Sequence, residues 1–570
     1  FWRRAWLGAR GEGTDAHGAI PHDSASHSPA SGRPLISLQP GLTSIWHARI
    51  SVRMVALIKS PTAHQTAIFE HVQTGTKNLI VQAVAGSGKT STIIHAMSLL
   101  APDEEVIYLV FNKRNQLEAE ERLRGTAVRA MTFNALGMRA LGRGFTLEKN
   151  KSSQVWREAE RDRLITEEES RMYMGFATRL VDLARSSGVG AVVEDTFDAW
   201  MDLCNEHDIM LRDKDADMSK GIALARNLLG EMMIWARRDR VIDFADQLYL
   251  PVHPDFRRMC RLPRPDRIFV DETQDLSPVQ VELVAAMMGA RVGEKPDTDQ
   301  RVVFVGDRWQ AIYGWRGAAC DAMDRIAERF TCDELPLSVC WRCGTSIVAL
   351  AAGLGAPIEA APGKFTGEVI ENEAGKALRA RDGQVVLCRT TAPLVTSAYR
   401  LIAQGRRAVV LGREIGQGLI TLVKKMGVHE NADIDLAMAK VDAWLIKEVA
   451  RHVDREDRQE AARDKAECLR VLADMLPETK RQVSDLFTTI ERIFSDEQVA
   501  GGITLSTVHK SKGLEWDDVT ILDWAKMPAQ WARRDWQRKQ EVHCAYVAVT
   551  RARERLILCD AEDFEPKDAS

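Results

Sequence analysis

The run Ala83-Val84-Ala85-Gly86-Ser87-Gly88-Lys89-Thr90 sets small residues and two glycines ahead of a lysine and a hydroxyl. Glycines let backbone N–H groups close on a phosphate, the lysine reaches its outer oxygens, and the threonine hydroxyl is a hard ligand for Mg2+. An apolar segment, 78–83, precedes the run, and a helical pattern with Ile93, Ile94 and Met97 follows it. A helix N-terminus there adds a favourable dipole for an anion. The competing reading, a tight strand–helix turn that happens to carry Gly-Lys-Thr, is the weaker one in this setting.

A second run, Arg267-Ile-Phe-Val-Asp271-Glu272-Thr273-Gln274-Asp275, delivers acids from the end of an apolar segment. Asp271 suits Mg2+ held through water, and Glu272 suits orienting or deprotonating an attacking water. Alone, such acids are more often a solvated loop; beside a phosphate-binding loop the catalytic reading wins. Phosphoryl transfer also needs positive charge where the γ-phosphate separates. Three arginines stand in informative settings: Arg316 in Tyr313-Gly-Trp315-Arg316, Arg342 after Trp341, and Arg551 in Val549-Thr550-Arg551-Ala552-Arg553. Any one of them alone reads as a surface charge.

The elements that must position these residues follow from the apolar pattern. Strands are predicted over 78–83, 106–111, 267–270 and 302–305, then over 384–387, 408–411, 503–506, 519–522 and 556–558. Their alternation with helical segments predicts an α/β fold: two domains with parallel sheets. Two stretches break the alternation and read as helical insertions. In the first, Leu180, Leu183, Trp200, Leu203, Leu228 and Leu229 lie on apolar faces. In the second, Val441, Trp444, Leu445 and Val449 repeat at three- and four-residue spacing, and Pro477 ends or kinks a helix. The expected division is 54–145 and 236–325 for the first domain with its insertion over 146–235, and 326–430 and 498–570 for the second with its insertion over 431–497.

A chain of 570 residues suggests about three or four domains. The formal net charge of −4 excludes a uniformly basic chain, so nucleic-acid binding must come from local clusters and stacking. No apolar window is long enough for a transmembrane helix. The ten cysteines lack a metal-ligand rhythm and read as reduced, cytosolic thiols. Cys340-Trp341-Arg342-Cys343 supplies two of the four ligands of a structural zinc site and reads as chance spacing ahead of a redox pair. Residues 1–53 are rich in Gly, Ser, Pro, His and Arg without periodicity, and Met54 stands before the first coherent pattern. They are expected to be a disordered or non-native N-terminal extension, with a transit peptide as the second reading.

With these motifs in order, the chain resembles the UvrD/Rep/PcrA-like superfamily 1 DNA helicases over about residues 58–560, and in size their compact, phage-type members. The resemblance implies two RecA-like domains, each with a helical insertion, ATP and Mg2+ as cofactors, and single-stranded and tailed duplex DNA as partner. It implies a cytoplasmic, ATP-hydrolysing 3′→5′ helicase, with a translocase that strips proteins, or an ATP-switched scaffold, as alternatives. Gln65 in Pro61-Thr62-Ala63-His64-Gln65 resembles the glutamine that reads adenine. Ala85, Gly86, Ser87, Gly88, Lys89, Thr90 and Ser91 would line the phosphates. Gln310, in Gly306-Asp307-Arg308-Trp309-Gln310, would sense the γ-phosphate. Arg342 and Arg551 would be arginine fingers, Trp341 would stack on adenine and Glu515 would touch the ribose. Phe111-Asn112, Thr132, Tyr313, Trp315, Arg316, Thr507 and His509 would meet DNA, the aromatic residues by stacking that ignores sequence. Two departures stand out: Arg308-Trp309 replace acids, and Val542-His543-Cys544 stand where the family often has Arg.

Overall fold

The computed structural model describes residues 58–207, 209–211, 216–312, 321–453 and 455–566. The extension expected over 1–53 lies outside the described residues, as do Tyr313, Trp315 and Arg316.

The first sheet contains β1 (Asn78–Ala83), β2 (Val106–Val110), β3 (Arg129–Thr132), β4 (Arg267–Val270), β5 (Arg301–Gly306) and β6 (Cys332–Leu337). Every strand runs parallel, in the order β3-β2-β4-β5-β1-β6. Val106–Val110 is buried at every position. Such an unbroken apolar run is what a strand covered on both faces needs. The second sheet contains β7 (Glu368–Glu371), β8 (Val385–Cys388), β9 (Ala408–Leu411), β10 (Phe494–Ser495), β11 (Ile503–Thr507), β12 (Trp516–Leu522) and β13 (Ala552–Cys559). It too is parallel, in the order β7-β13-β12-β8-β11-β9-β10.

The domain boundary differs from the expected one. Strand β6, expected in the second domain, pairs with β1 from Asn78↔Cys332 to Ala83↔Leu337 and completes the first sheet. Its residues, Cys-Asp-Glu-Leu-Pro-Leu, hide the strand from an apolar pattern. Pro336 has no N–H to donate, which an edge strand tolerates. The edge strands β3 and β7 escape notice for the same reason, being half exposed.

The first insertion consists of the helices Lys151–Arg161, Glu167–Ser187, Phe197–Glu206 and Met218–Arg238. Its Leu180, Trp200 and Leu228 are buried in one core with Ile107, Leu109 and Phe133 of the first domain. A buried ion network fastens it further. Arg185 bonds Asp243 at 2.7 Å and Asp246 at 2.9 Å, and Lys151 bonds Asp246 at 2.6 Å. The second insertion, Ile434–Arg451, Glu456–Asp474 and Val483–Ile493, lies between β9 and β10. Pro477 falls in the turn after Glu456–Asp474. The Asp464 carboxylate accepts from the Thr391 and Ala392 N–H groups at 2.9 and 2.6 Å, capping the helix Ala392–Ala403. A further core crosses between the two sheets: Val84, Ala85 and Ile312 pack with Val508, Tyr546 and Val547.

Candidate nucleotide site at the domain interface

Adjacent β4, β5 and β1 all point their carboxyl ends the same way. Ligands of parallel sheets bind at that edge. The strand order therefore sets three sequence-distant segments side by side: the loop after β1, Asp271-Glu272 after β4 and Asp307 after β5. Gly86 and Gly88 of the loop adopt φ of 68° and 80°, a region that L side chains avoid. Gly86 also has no room for a side chain, since a Cβ there would fall 2.5 Å from the Arg342 Cβ.

Lys89 faces Glu272 at 3.5 Å. Burial pulls its ammonium down, but Glu272, Asp307 and Asp271 outweigh this and hold its pKa above the ordinary value. Burial and Glu272 push the Asp271 carboxyl up, while Tyr108 donates to it at 2.7 Å. Burial also pushes Glu272 up, yet Lys89 and Lys512 overcome it, so Glu272 is held ionised. Glu272 takes a left-handed φ of 50°. Such strain in a non-glycine residue concentrates at functional sites.

Gln310 is buried, and its amide donates to Asp307 Oδ2 at 2.7 Å. Its backbone oxygen accepts from Lys512 Nζ at 2.6 Å, and the same ammonium bonds Asp275 at 2.6 Å. Arg342 forms an ion pair with Glu515 and donates to the Thr550 carbonyl at 3.2 Å. Arg551 is fully buried; it donates to the Leu514 and Val547 carbonyls at 2.8 and 3.0 Å. Burial and the Arg342 guanidinium pull Arg551 down to about 10, so it stays charged at neutral pH. The Trp341 side chain is exposed, and its backbone N–H donates to Gly86 O at 2.8 Å. Gln65 donates to Thr92 Oγ1 on the helix Lys89–Ser98 at 3.0 Å. The Ser91 hydroxyl accepts from Arg122 at 2.9 Å.

The residues fit a magnesium nucleotide. The Ser87 hydroxyl is buried with no hydrogen-bond partner among the described residues. Lys89 is surrounded by acids that a phosphate would displace, and Thr90 with Asp271 offers the oxygen donors Mg2+ takes.

The remaining described candidates lie at or just after the carboxyl ends of β2, β3 and β11. Asn112, Thr132 and Thr507 are helix N-caps, accepting from Asn115, Ala135 and Lys510 N–H groups. Phe111 is exposed beside Asn112. Burial, with Arg389 and Lys512 nearby, pulls His509 down to about 3.

Four residues of this site were not singled out from sequence: Asp307, Gln274, Lys512 and Tyr546. Gln274 donates to Glu272 at 2.6 Å and accepts from the Asp307 N–H at 3.0 Å, bridging the two acidic turns. Gln274 and Asp307 lie inside runs read above, but only the folded order of strands and domains shows what the four touch.

A glycine-rich loop and two acids of the first domain, faced by Arg342 and by Arg551 just before β13, define the class: a P-loop NTPase site shared by two RecA-like domains. The chain matches the UvrD/REP helicase N-terminal domain over residues 63–331 and the UvrD-like helicase C-terminal domain over 419–563, and it belongs to the UvrD/Rep-like superfamily 1 helicase family. It is 25% identical over 564 residues to F-box DNA helicase protein 1 of Schizosaccharomyces pombe, covering 89% of this chain and 59% of that protein. It is 22% identical over 544 residues to F-box DNA helicase 1 of Gallus gallus, covering 87% and 49%. It is 26% identical over 574 residues to ATP-dependent DNA helicase UvrD2 of Mycobacterium tuberculosis, covering 85% and 77%. The chain thus spans only part of the F-box relatives. Among the described residues, no helix is long and apolar enough to cross a membrane.

Proposed function

We propose that this chain is an ATP-dependent DNA translocase that separates strands with 3′→5′ polarity. The observation that carries the reading is the split site: Lys89 and Glu272 belong to one domain, Arg342 and Arg551 to the other, and Gln310 sits between them. Thr90 and Asp271 would hold Mg2+, which supplies charge neutralisation at the phosphates. Lys89, now paired with Glu272, would turn to the phosphate oxygens and leave the Glu272 carboxylate to orient and deprotonate water. Arg342 and Arg551 would meet the charge that develops as the γ-phosphate leaves. Trp341, Gln65 and Glu515 would hold the nucleoside. Helix N-termini at Asn112, Thr132 and Thr507 offer N–H groups suited to a phosphate backbone. Phe111 offers a ring for a base. Near neutral pH His509 is uncharged, so it would contribute a hydrogen bond and not a charge.

The test is ATP turnover with and without single-stranded DNA or RNA, together with strand displacement on 3′-tailed and 5′-tailed duplexes. The expected result is DNA-stimulated turnover and displacement from 3′ tails, both lost in Lys89→Ala. Turnover without displacement would favour protein stripping, and displacement from 5′ tails alone would reverse the polarity. Nucleotide binding without hydrolysis would favour a switched scaffold.

A further inference from the structure

We propose that Tyr546 is a positioning residue that joins the phosphate loop to the Asp307–Gln310 turn across the domain interface. The proposal rests on the ATPase reading above. The phenol is fully buried. Its oxygen accepts from the Ala85 N–H at 2.8 Å and donates to Asp307 Oδ2 at 3.3 Å. That same Oδ2 holds the Gln310 amide at 2.7 Å. One hydroxyl therefore connects the mouth of the loop to the acid that aims Gln310. Both loop and turn belong to the first domain, and the hydroxyl arrives from the second, so the link exists only when the cleft is closed.

The helix Asp535–Val549 is built to deliver it. Gln540, His543 and Tyr546 recur every three residues and so share one helix face. Gln540 donates to the Ile312 carbonyl at 3.2 Å, and His543 Nδ1 lies 3.2 Å from the Ala311 carbonyl. Burial pulls His543 down, which leaves a neutral ring whose Nδ1–H donates to that carbonyl. Trp309 fills the space between, its ring 5.2 Å from His543 and 5.9 Å from Tyr546. Trp309 from Arg308-Trp309 and His543 from Val542-His543-Cys544, one residue from each of the two departures, are thus each other's neighbours and pack around the same tyrosine. Burial and the Asp307 charge push the phenol well above its usual range, so it remains a donor.

Tyr546→Phe keeps the ring against Trp309 and removes only the hydroxyl. The expected result is a fall of about tenfold in DNA-stimulated kcat, the loss of one hydrogen bond to a charged acceptor. KM for ATP should stay where it is, and the melting temperature should fall by no more than about 2–4 °C, the cost of one buried hydrogen bond in a large chain. Amide hydrogen exchange at Ala85, read on the full chain, should accelerate. Unchanged kcat with unchanged Ala85 exchange would overturn the proposal. So would a kcat that falls only in step with KM and with a larger drop in melting temperature, which marks a merely structural contact. If the wild-type chain hydrolyses no ATP, the functional reading fails, and Ala85 exchange alone decides the role of Tyr546: acceleration supports it and no change overturns it.

Discussion

Glu272 is held ionised by the cations around it although it is half-buried at the end of β4. A base stripped of its charge cannot accept a proton, so Glu272→Gln should lower ATP turnover by about 10²- to 10⁴-fold. Nucleotide binding should persist, because the loop and Lys89 are untouched. Turnover measured beside fluorescent-nucleotide titration checks both halves; retained turnover would remove Glu272 from the chemistry. His509 makes a different prediction. Its folded pKa of about 3 lies below the unfolded value of about 6.5. Between those values the unfolded chain binds the extra proton, so this group's contribution to stability is full above pH 6.5 and is lost progressively as pH falls. Urea midpoints at pH 7 and pH 5 should therefore drop less in His509→Gln than in the wild type. An equal drop in both would show that His509 is not the residue responsible.

At the level of elements, the insertions are fastened to their domains by buried charge as well as by apolar packing. Asp243 and Asp246 hold Arg185 and Lys151 of the first insertion. Arg185 is almost wholly enclosed. Arg185→Ala should destabilise the chain by about 3–5 kcal/mol, since removing it leaves the buried Asp243 carboxylate without its cation. Chemical denaturation measures it, and a loss below about 1 kcal/mol, the range of a surface pair, would show the network to be dispensable. Strands such as β2 and helices such as Met218–Arg238 were legible because burial on two faces, or on one helical stripe, writes an apolar period into the sequence. Strand β6 was not, because an edge strand answers to its neighbour's hydrogen bonds more than to the core.

In the whole molecule, the two sheets meet through a buried contact that holds the cleft closed. Lys512 of the second domain pairs with Asp275 of the first at 2.6 Å, and both side chains are nearly inaccessible. Without the ammonium, closure would bury the Asp275 carboxylate unpaired, and opening would let water solvate it. Lys512→Ala should therefore raise the radius of gyration in small-angle scattering and lower DNA-stimulated ATP turnover. Unchanged values of both would mean that closure rests on the other contacts across the interface, the apolar packing of Val84, Ala85 and Ile312 and the hydrogen bonds of Gln540, His543 and Tyr546.

The sequence by itself determined the phosphate loop, the acids after β4, the two parallel sheets and the family. Each of these is written in neighbouring residues: a glycine that must turn, a lysine at fixed spacing, an apolar run that must be buried. Only the tertiary structure decided that β4, β5 and β1 lie side by side, that β6 closes the first sheet, and that Tyr546 and Lys512 reach across to Asp307, Asp275 and Gln310. Those facts depend on strand order and domain closure, which join residues hundreds of positions apart and leave no local period to read.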